Sequence, residues 1–224
     1  MRGMDFVFML TRADRTVTDA FEVVEQIVPL GLTHVGFKDV GIAPDRAAEL
    51  VKKIREHGAT SYLEVVSTSH EDSLKSARLA REIGVDCLLG GTQVEAVLAI
   101  LAGSAVAYYP FPGRPFDHPT KLAGSPETIA ADCKRFRALG CAGVDLLAYR
   151  ATEAEPLELV RAARAATDGR VLVAGSVTGR DQIRALAAAG ADAFTVGSAV
   201  FDGTFAPGAR SLNDQLGAVL DATR

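Results

Sequence analysis

The sequence predicts an α/β fold, a single (β/α)8 barrel with parallel strands enclosed by helices. Three observations predict it. Short apolar runs alternate with amphipathic segments along the chain, a glycine recurs just past the helical segments, and the alternation repeats eight times within 224 residues. Strand–helix–strand units make neighbouring strands parallel. Eight of them in so short a chain favour a closed barrel over an open doubly wound sheet. Periodicity does not prove closure, and the open sheet stays as the alternative. No linker or composition break divides the chain, so residues 1–224 are expected to form one barrel domain.

The elements follow in order. The apolar run Phe6–Leu10 is the first strand, and the helix Val17–Leu30 follows it and ends at Gly31. His34–Lys38 precedes a helix at Pro44–His57, whose proline falls in the first turn, where its missing N–H is harmless; Gly58 ends it. Tyr62–Ser67 leads to His70–Ile83 and Gly84, and Cys87–Gly90 leads to Gln93–Leu101 and Gly103. Val106–Phe111 is followed by the one long connection, Pro112–Ser125, of a length typical of lids and binding loops. The helix Pro126–Leu139 then ends at Gly140. Val144–Tyr149 precedes Glu155–Ala166 and Gly169, with Pro156 in the first turn; Val171–Val177 precedes Gly179–Ala189 and Gly190. Phe194–Gly197 and Leu212–Ala222 complete the series. Glycine suits the place after a helix because the chain there often turns left-handed.

Composition narrows the function. A formal net charge of -4 and 48% hydrophobic residues argue for a packed core and against a broad nucleic-acid surface. Cys87, Cys133 and Cys141 are odd in number and contain no CxxC, so they read as reduced core or helix residues. The start, MRGMDFVFMLTRAD, meets charge after one short apolar run, as a first strand does and a secretion signal does not. No apolar stretch is long enough to span a membrane. A cytoplasmic protein is expected, with neither nucleic acid nor membrane as partner. The helix faces say nothing about self-association, and a homo-oligomer stays open.

The most informative segment is VLVAGSVTGRDQIRALAAAGADAFTVGSAVF, Val171 to Phe201. Two strand ends carry glycines, Gly175-Ser176 with Gly179 and Gly197-Ser198, beside helix starts. Uncrowded backbone N–H groups at such places suit a phosphate. The segment resembles the last two strands of the phosphate-binding (β/α)8 TIM barrels, which include phosphosugar aldolases and isomerases, tryptophan- and histidine-pathway barrels and many flavin barrels. The resemblance implies a phosphate held by Gly175, Ser176, Gly179, Gly197 and Ser198. Relatives often carry two consecutive glycines where this chain has Gly175-Ser176; a serine N–H still donates. The plainer alternative is that these glycines only permit close helix–strand packing.

Active sites of such barrels lie at the carboxyl ends of the strands. Lys38 closes an apolar strand, where desolvation frees an amine for Schiff-base or acid/base work; the alternative is a surface lysine paired with Asp39. If Val35 and Phe37 face the helices, His34, Gly36 and Lys38 face inward. Glu64 lies inside YLEVVS, a costly place for an unpaired carboxylate. It is read as a general base or as the partner of Lys38. Asp145 follows the same logic but sits early in its strand, lower in the barrel. Arg150, just past the sixth strand, is a candidate for clamping a substrate carboxylate or phosphate; the resemblance implies that Arg12 and Asp14, in the loop after strand one, contact the substrate. His118, in the long connection, is a candidate general acid or a solvated residue. No spacing of His, Cys, Asp or Glu suggests a metal site.

These residues lead to the expectation of a cofactor-independent lyase of the aldolase type, or an isomerase, acting on a small phosphorylated sugar or keto acid. A flavin barrel binding FMN and a non-catalytic phosphometabolite-binding protein are the alternatives. Three departures keep the resemblance at the level of the superfamily. The sixth strand carries Asp145 and Arg150 but no Schiff-base lysine. The Asp-x-Lys-x-x-Asp motif of orotidine-phosphate decarboxylases is missing, and so is the early cysteine of phosphoribosylanthranilate isomerases.

Overall fold

The structure is a computed structural model that describes residues 3–224. Its central sheet contains eight parallel strands: β1 (Asp5–Met9), β2 (His34–Lys38), β3 (Thr60–Glu64), β4 (Cys87–Leu89), β5 (Ala107–Tyr109), β6 (Gly143–Leu146), β7 (Arg170–Val173) and β8 (Ala193–Val196). Strands β1 to β5 and β6 to β8 pair in sequence order, and β8 returns to pair with β1. Two backbone hydrogen bonds bridge the remaining seam, between β5 and β6. Ala142 N–H donates to the Tyr108 carbonyl and Asp145 N–H to the Pro110 carbonyl, both at 3.0 Å. The ring is therefore a (β/α)8 barrel, and the open-sheet alternative gives way.

The outer layer consists of α1 (Ala20–Ile27), α2 (Pro44–Glu56), α3 (His70–Ile83), α4 (Val94–Leu101), α5 (Pro126–Ala138), α6 (Pro156–Ala166), α7 (Arg180–Ala189) and α8 (Leu212–Ala222). A short helix, Ser198–Phe201, precedes α8. Local chemistry sets their ends. The Ser69 hydroxyl caps α3 by accepting the Asp72 N–H, and Glu71 and Asp72 place negative charge at the positive end of the helix dipole. Ser73, Ser76, Ala77, Ala80 and Ile83 recur at helical spacing and are the buried face of α3. Pro126 begins α5 behind a Ser125 cap, and Ser211 and Asp214 form a capping box on α8. No helix among the described residues is long and apolar enough to cross a membrane.

The structure corrects several boundaries. Helix α1 starts at Ala20 rather than Val17 because residues 11–16 form a hairpin, Thr11–Arg12 paired with Arg15–Thr16. Its two-residue turn, Ala13-Asp14, is left-handed at both positions, with φ of 49° and 53°. It lacks the Asn-Gly or Asp-Gly signature of such turns, so the sequence does not announce it. A second hairpin, Arg114–Phe116 with Lys121–Ala123, folds most of the long connection onto itself. Strand β3 ends at Glu64 and β7 at Val173, each a few residues early, where the chain leaves the ladder to form the site. Six of the seven post-helical glycines are left-handed, but Gly169 is not. It is constrained by proximity instead, since a Cβ there would lie 3.0 Å from the Ala142 carbonyl oxygen.

Gly143 shows how tightly β6 and β7 meet: an added Cβ would stand 2.0 Å from the Arg170 carbonyl oxygen and 2.7 Å from its nitrogen. Gly143→Ala is expected to cost about 3 kcal/mol of stability, because only the ladder itself can yield. Gly217→Ala, within α8 with nothing within 4 Å of the new methyl, is expected to stabilise by about 0.5–1 kcal/mol. Urea unfolding of both variants beside the wild type checks the pair.

Candidate active site

At the carboxyl ends of the strands lies a cavity of about 280 Å3. Its charged lining comes from the β1 hairpin (Asp14), β2 (Lys38), β3 (Glu64), Arg150 and Asp202. Strand register determines the central contact. Lys38 and Glu64 are directly paired residues of parallel strands, which puts both side chains on one face of the sheet. Their tips meet, Lys38 Nζ to Glu64 Oε1, at 2.6 Å. The predicted alternation of β2 holds: Val35 lies with Val24, Ile27 and Ile54 of the surrounding helices, while Lys38 opens into the cavity. Lys38 and Glu64 are only 7% and 5% exposed, so each charge depends on the other for solvation.

The rest of the site braces this pair. Thr16 grips the backbone of Lys38 twice: its hydroxyl accepts the Lys38 N–H at 2.9 Å and donates to the Lys38 carbonyl at 2.8 Å. Asp145 is 0% exposed, and neither carboxyl oxygen has a hydrogen-bond partner among the described residues. Burial, reinforced by the charge of Glu64, holds its carboxyl well above the usual carboxylate range. The Asp145 side chain takes no part in the cavity lining. Asp39 is structural: its carboxylate accepts from Val66 N–H at 3.0 Å and Ser76 Oγ at 2.5 Å, tying the chain after β3 to α3. Burial raises the Asp39 carboxyl too.

Across the cavity are the glycine loops. Gly175 and Ser176 both take left-handed φ, 75° and 61°. The N–H groups of Gly175, Ser176, Gly197 and Ser198 meet no protein acceptor among the described residues. Gly179 and Gly197 are the N-caps of α7 and of the short helix, and neither end has a side-chain cap. Arg150 packs over this loop so closely that a Cβ on Gly175 would lie 2.5 Å from its Nε. Its guanidinium also lies 3.6 Å from Asp14 Oδ1, and the same oxygen is 3.7 Å from Lys38 Nζ. Four free N–H groups, two adjacent helix starts and one guanidinium make an anion cradle.

The structure brings Lys38, Glu64, Arg150, Gly175, Ser176, Gly197 and Ser198 into one cavity, with Asp145 below. Gly179 stands just behind the lining, at the start of α7. Arg12 points elsewhere: it donates to the Phe201 carbonyl, pairs with Asp202 at 2.9 Å and covers the Phe201 ring. His118 lies exposed at the turn of the second hairpin, outside the lining. His34 sits at the other end of β2, 3.0 Å from the Tyr62 hydroxyl, and burial lowers its pKa. Sequence reasoning missed Thr11, whose buried, unpartnered hydroxyl belongs to a lining residue, and the Thr16 clamp. Their only signal is a pair of threonines flanking RADR. A larger void, about 820 Å3, lies at the opposite mouth beside Asp5 and Arg170, which pair with each other. Among the described residues no group of three or more His, Cys, Asp or Glu could hold a metal ion.

Fold and site together define a (β/α)8 barrel with a charged, glycine-edged cavity at its carboxyl end. No protein-family model matches the chain, and no curated protein matches it in sequence. Solved structures match it in fold. A mutant tryptophan synthase alpha-subunit from the hyperthermophile Pyrococcus furiosus is 17% identical with a TM-score of 0.69, over 98% of this chain and 100% of that one. The tryptophan synthase complex from the same organism matches at 16% identity and a TM-score of 0.68, with coverage of 98% and 100%. A native KDPGal structure matches at 13% identity and a TM-score of 0.67, with coverage of 99% and 97%. At such identities the likeness establishes the fold. That fold is the (β/α)8 TIM barrel.

Two outcomes follow for the buried charges. Lys38→Met strands Glu64 without its cation and is expected to cost about 3–5 kcal/mol, most of which Lys38→Met/Glu64→Gln restores; denaturant unfolding reads both. For Asp145, the native pKa lies above the unfolded value of about 3.9, so between the two the native state holds the extra proton. Stability from this group is complete below the unfolded value and falls as pH rises through that window. Asp145→Asn, which keeps the neutral shape, is expected to be more stable than the wild type at pH 7. Melting temperatures measured from pH 7 to 4 should show the gap closing.

Proposed function

We propose that the protein is a cofactor-independent lyase of the aldolase type, or an isomerase, acting on a small phosphorylated carbonyl compound. The observation that carries the reading is that the buried Lys38–Glu64 pair and the glycine cradle open into the same cavity. The cradle and Arg150 would hold the phosphate, and this anchoring sets the carbonyl carbon against Lys38. Lys38 passes a proton to Glu64, and the free amine adds to the carbonyl carbon. The carbonyl oxygen takes one proton from the added nitrogen and a second from Glu64 and leaves as water, giving a protonated imine. The imine then draws in the electron pair of an adjacent bond, C–C in a lyase or C–H in an isomerase. In the second case Glu64, once it has given up its proton, accepts the one released. Asp145 acts through Glu64: the upward shift of its buried carboxyl disfavours a second negative charge near the pair.

The size of the cavity supports this over the flavin alternative. About 280 Å3 falls just under the roughly 300–1,000 Å3 of sites that enclose drug-sized ligands, a fit for a metabolite of a few carbons. The likeness to a tryptophan synthase alpha-subunit and to a KDPGal structure supplies the barrel on which this reading rests.

Incubation with a panel of phosphorylated aldehydes and ketoses is expected to reveal turnover, and borohydride to leave a covalent adduct on Lys38 by mass spectrometry. Glu64→Gln should lower kcat by about 10²–10⁴ with a much smaller change in KM. Turnover without an adduct would move the chemistry to acid/base isomerisation, with Lys38 as a charged electrophile. Tight binding with no turnover across the panel would make the protein a phosphometabolite binder. Full activity in Lys38→Met/Glu64→Gln would remove the pair from the reaction.

A further inference from the structure

The charges that line the cavity are unevenly matched. The lining holds two cations, Lys38 and Arg150, against three carboxylates, Asp14, Glu64 and Asp202. Lys38 is matched by Glu64 at 2.6 Å. Arg150 lies against Gly175 at the cradle and is the cation placed to meet a phosphate. Asp202 is matched from outside by Arg12, which is held by the Phe201 carbonyl as well and takes no part in the lining. Asp14 is left over. Its carboxylate rests 3.6 and 3.7 Å from the two site cations, beyond hydrogen-bond distance of either, and its side chain is 16% exposed. When a phosphate takes Arg150, Asp14 faces the remainder of the ligand with no cation of its own.

The neighbouring polar groups point the same way. Thr11 lines the same wall, and its buried hydroxyl has no partner. The other polar side chains of the lining, Ser176, Thr178, Thr195, Ser198 and Thr204, are hydroxyls. A carboxylate that accepts and hydroxyls that donate or accept suit hydroxyl groups on the ligand. A second anion would meet Asp14 at close quarters with both cations already engaged, and like charges in a confined site repel strongly. The two-residue turn holds Asp14 in this place, and Thr16 ties the hairpin to Lys38.

We propose that the site selects a phosphosugar, a phosphorylated chain whose remaining groups are hydroxyls and an uncharged carbonyl, and rejects phosphorylated acids, with Asp14 as the specificity-determining residue. The inference rests on the phosphate reading above and goes further, since that reading admits phosphorylated keto acids as well. The test compares matched pairs that differ only in oxidation at the terminal carbon: glyceraldehyde 3-phosphate against 3-phosphoglycerate, and ribose 5-phosphate against 5-phosphoribonate. Binding to the wild-type protein is measured by thermal shift and calorimetry, with inorganic phosphate as a third probe. The neutral-bodied member of at least one pair is expected to bind at least tenfold more tightly than its acid. Asp14→Asn, a residue that tolerates the left-handed turn, should reduce that ratio severalfold by admitting the acid. Equal or tighter binding of the acids to the wild type overturns the inference while leaving the phosphate reading intact. Binding by neither pair nor by inorganic phosphate overturns both.

Discussion

Everything at the carboxyl end of this barrel is arranged around one buried ion pair, Lys38 with Glu64. Removing two charges from water costs several kcal/mol per ion, and their attraction offsets that only when geometry and surroundings are right. Here parallel register brings the two side chains level, and Thr16 holds the Lys38 backbone from a hairpin across the strand end. Burial holds the Asp145 carboxyl well above the usual carboxylate range, and the charge of Glu64 adds to the shift while Lys38 and Arg150 oppose it.

The division of labour across the cavity follows from chain topology. Strands β2 and β3 supply the buried ion pair, while the loops after β7 and β8 supply backbone donors that carry no formal charge. Arg150, just after β6, spans the gap between the glycine loop and Asp14. Backbone donors and the Arg150 guanidinium face the cavity from the side opposite the ion pair. The left-handed Ser176 belongs to this design: a non-glycine residue at φ 61° persists only where its surroundings impose it.

Much of the fold was legible because its signals are local. Apolar runs, proline at helix starts and glycine past helix ends mark eight strand–helix units, and the strand alternation around Gly36 correctly turns Lys38 inward. Glu64 was legible by cost, as a carboxylate inside a buried strand needs a partner. What stayed hidden depends on contacts between distant segments. The Ala13-Asp14 turn uses residues without a turn signature, so neither the hairpin nor the placement of Asp14 between two cations could be read. Arg12 and Asp14 are near neighbours in sequence, yet the hairpin sends one to Phe201 and Asp202 and the other into the cavity. Arg150 over Gly175 and Thr16 on Lys38 are likewise meetings that no pattern along the chain encodes.

The central claim is spatial: one ligand touches both the glycine cradle and Lys38. A crystal structure of the protein trapped by borohydride with a phosphorylated carbonyl substrate tests it most directly. The account predicts continuous density from Lys38 Nζ to a phosphate seated on the N–H groups of Gly175, Ser176, Gly197 and Ser198, with Arg150 turned toward it. A phosphate bound elsewhere, or a ligand in the cavity that leaves Lys38 and Glu64 paired and untouched, would contradict it.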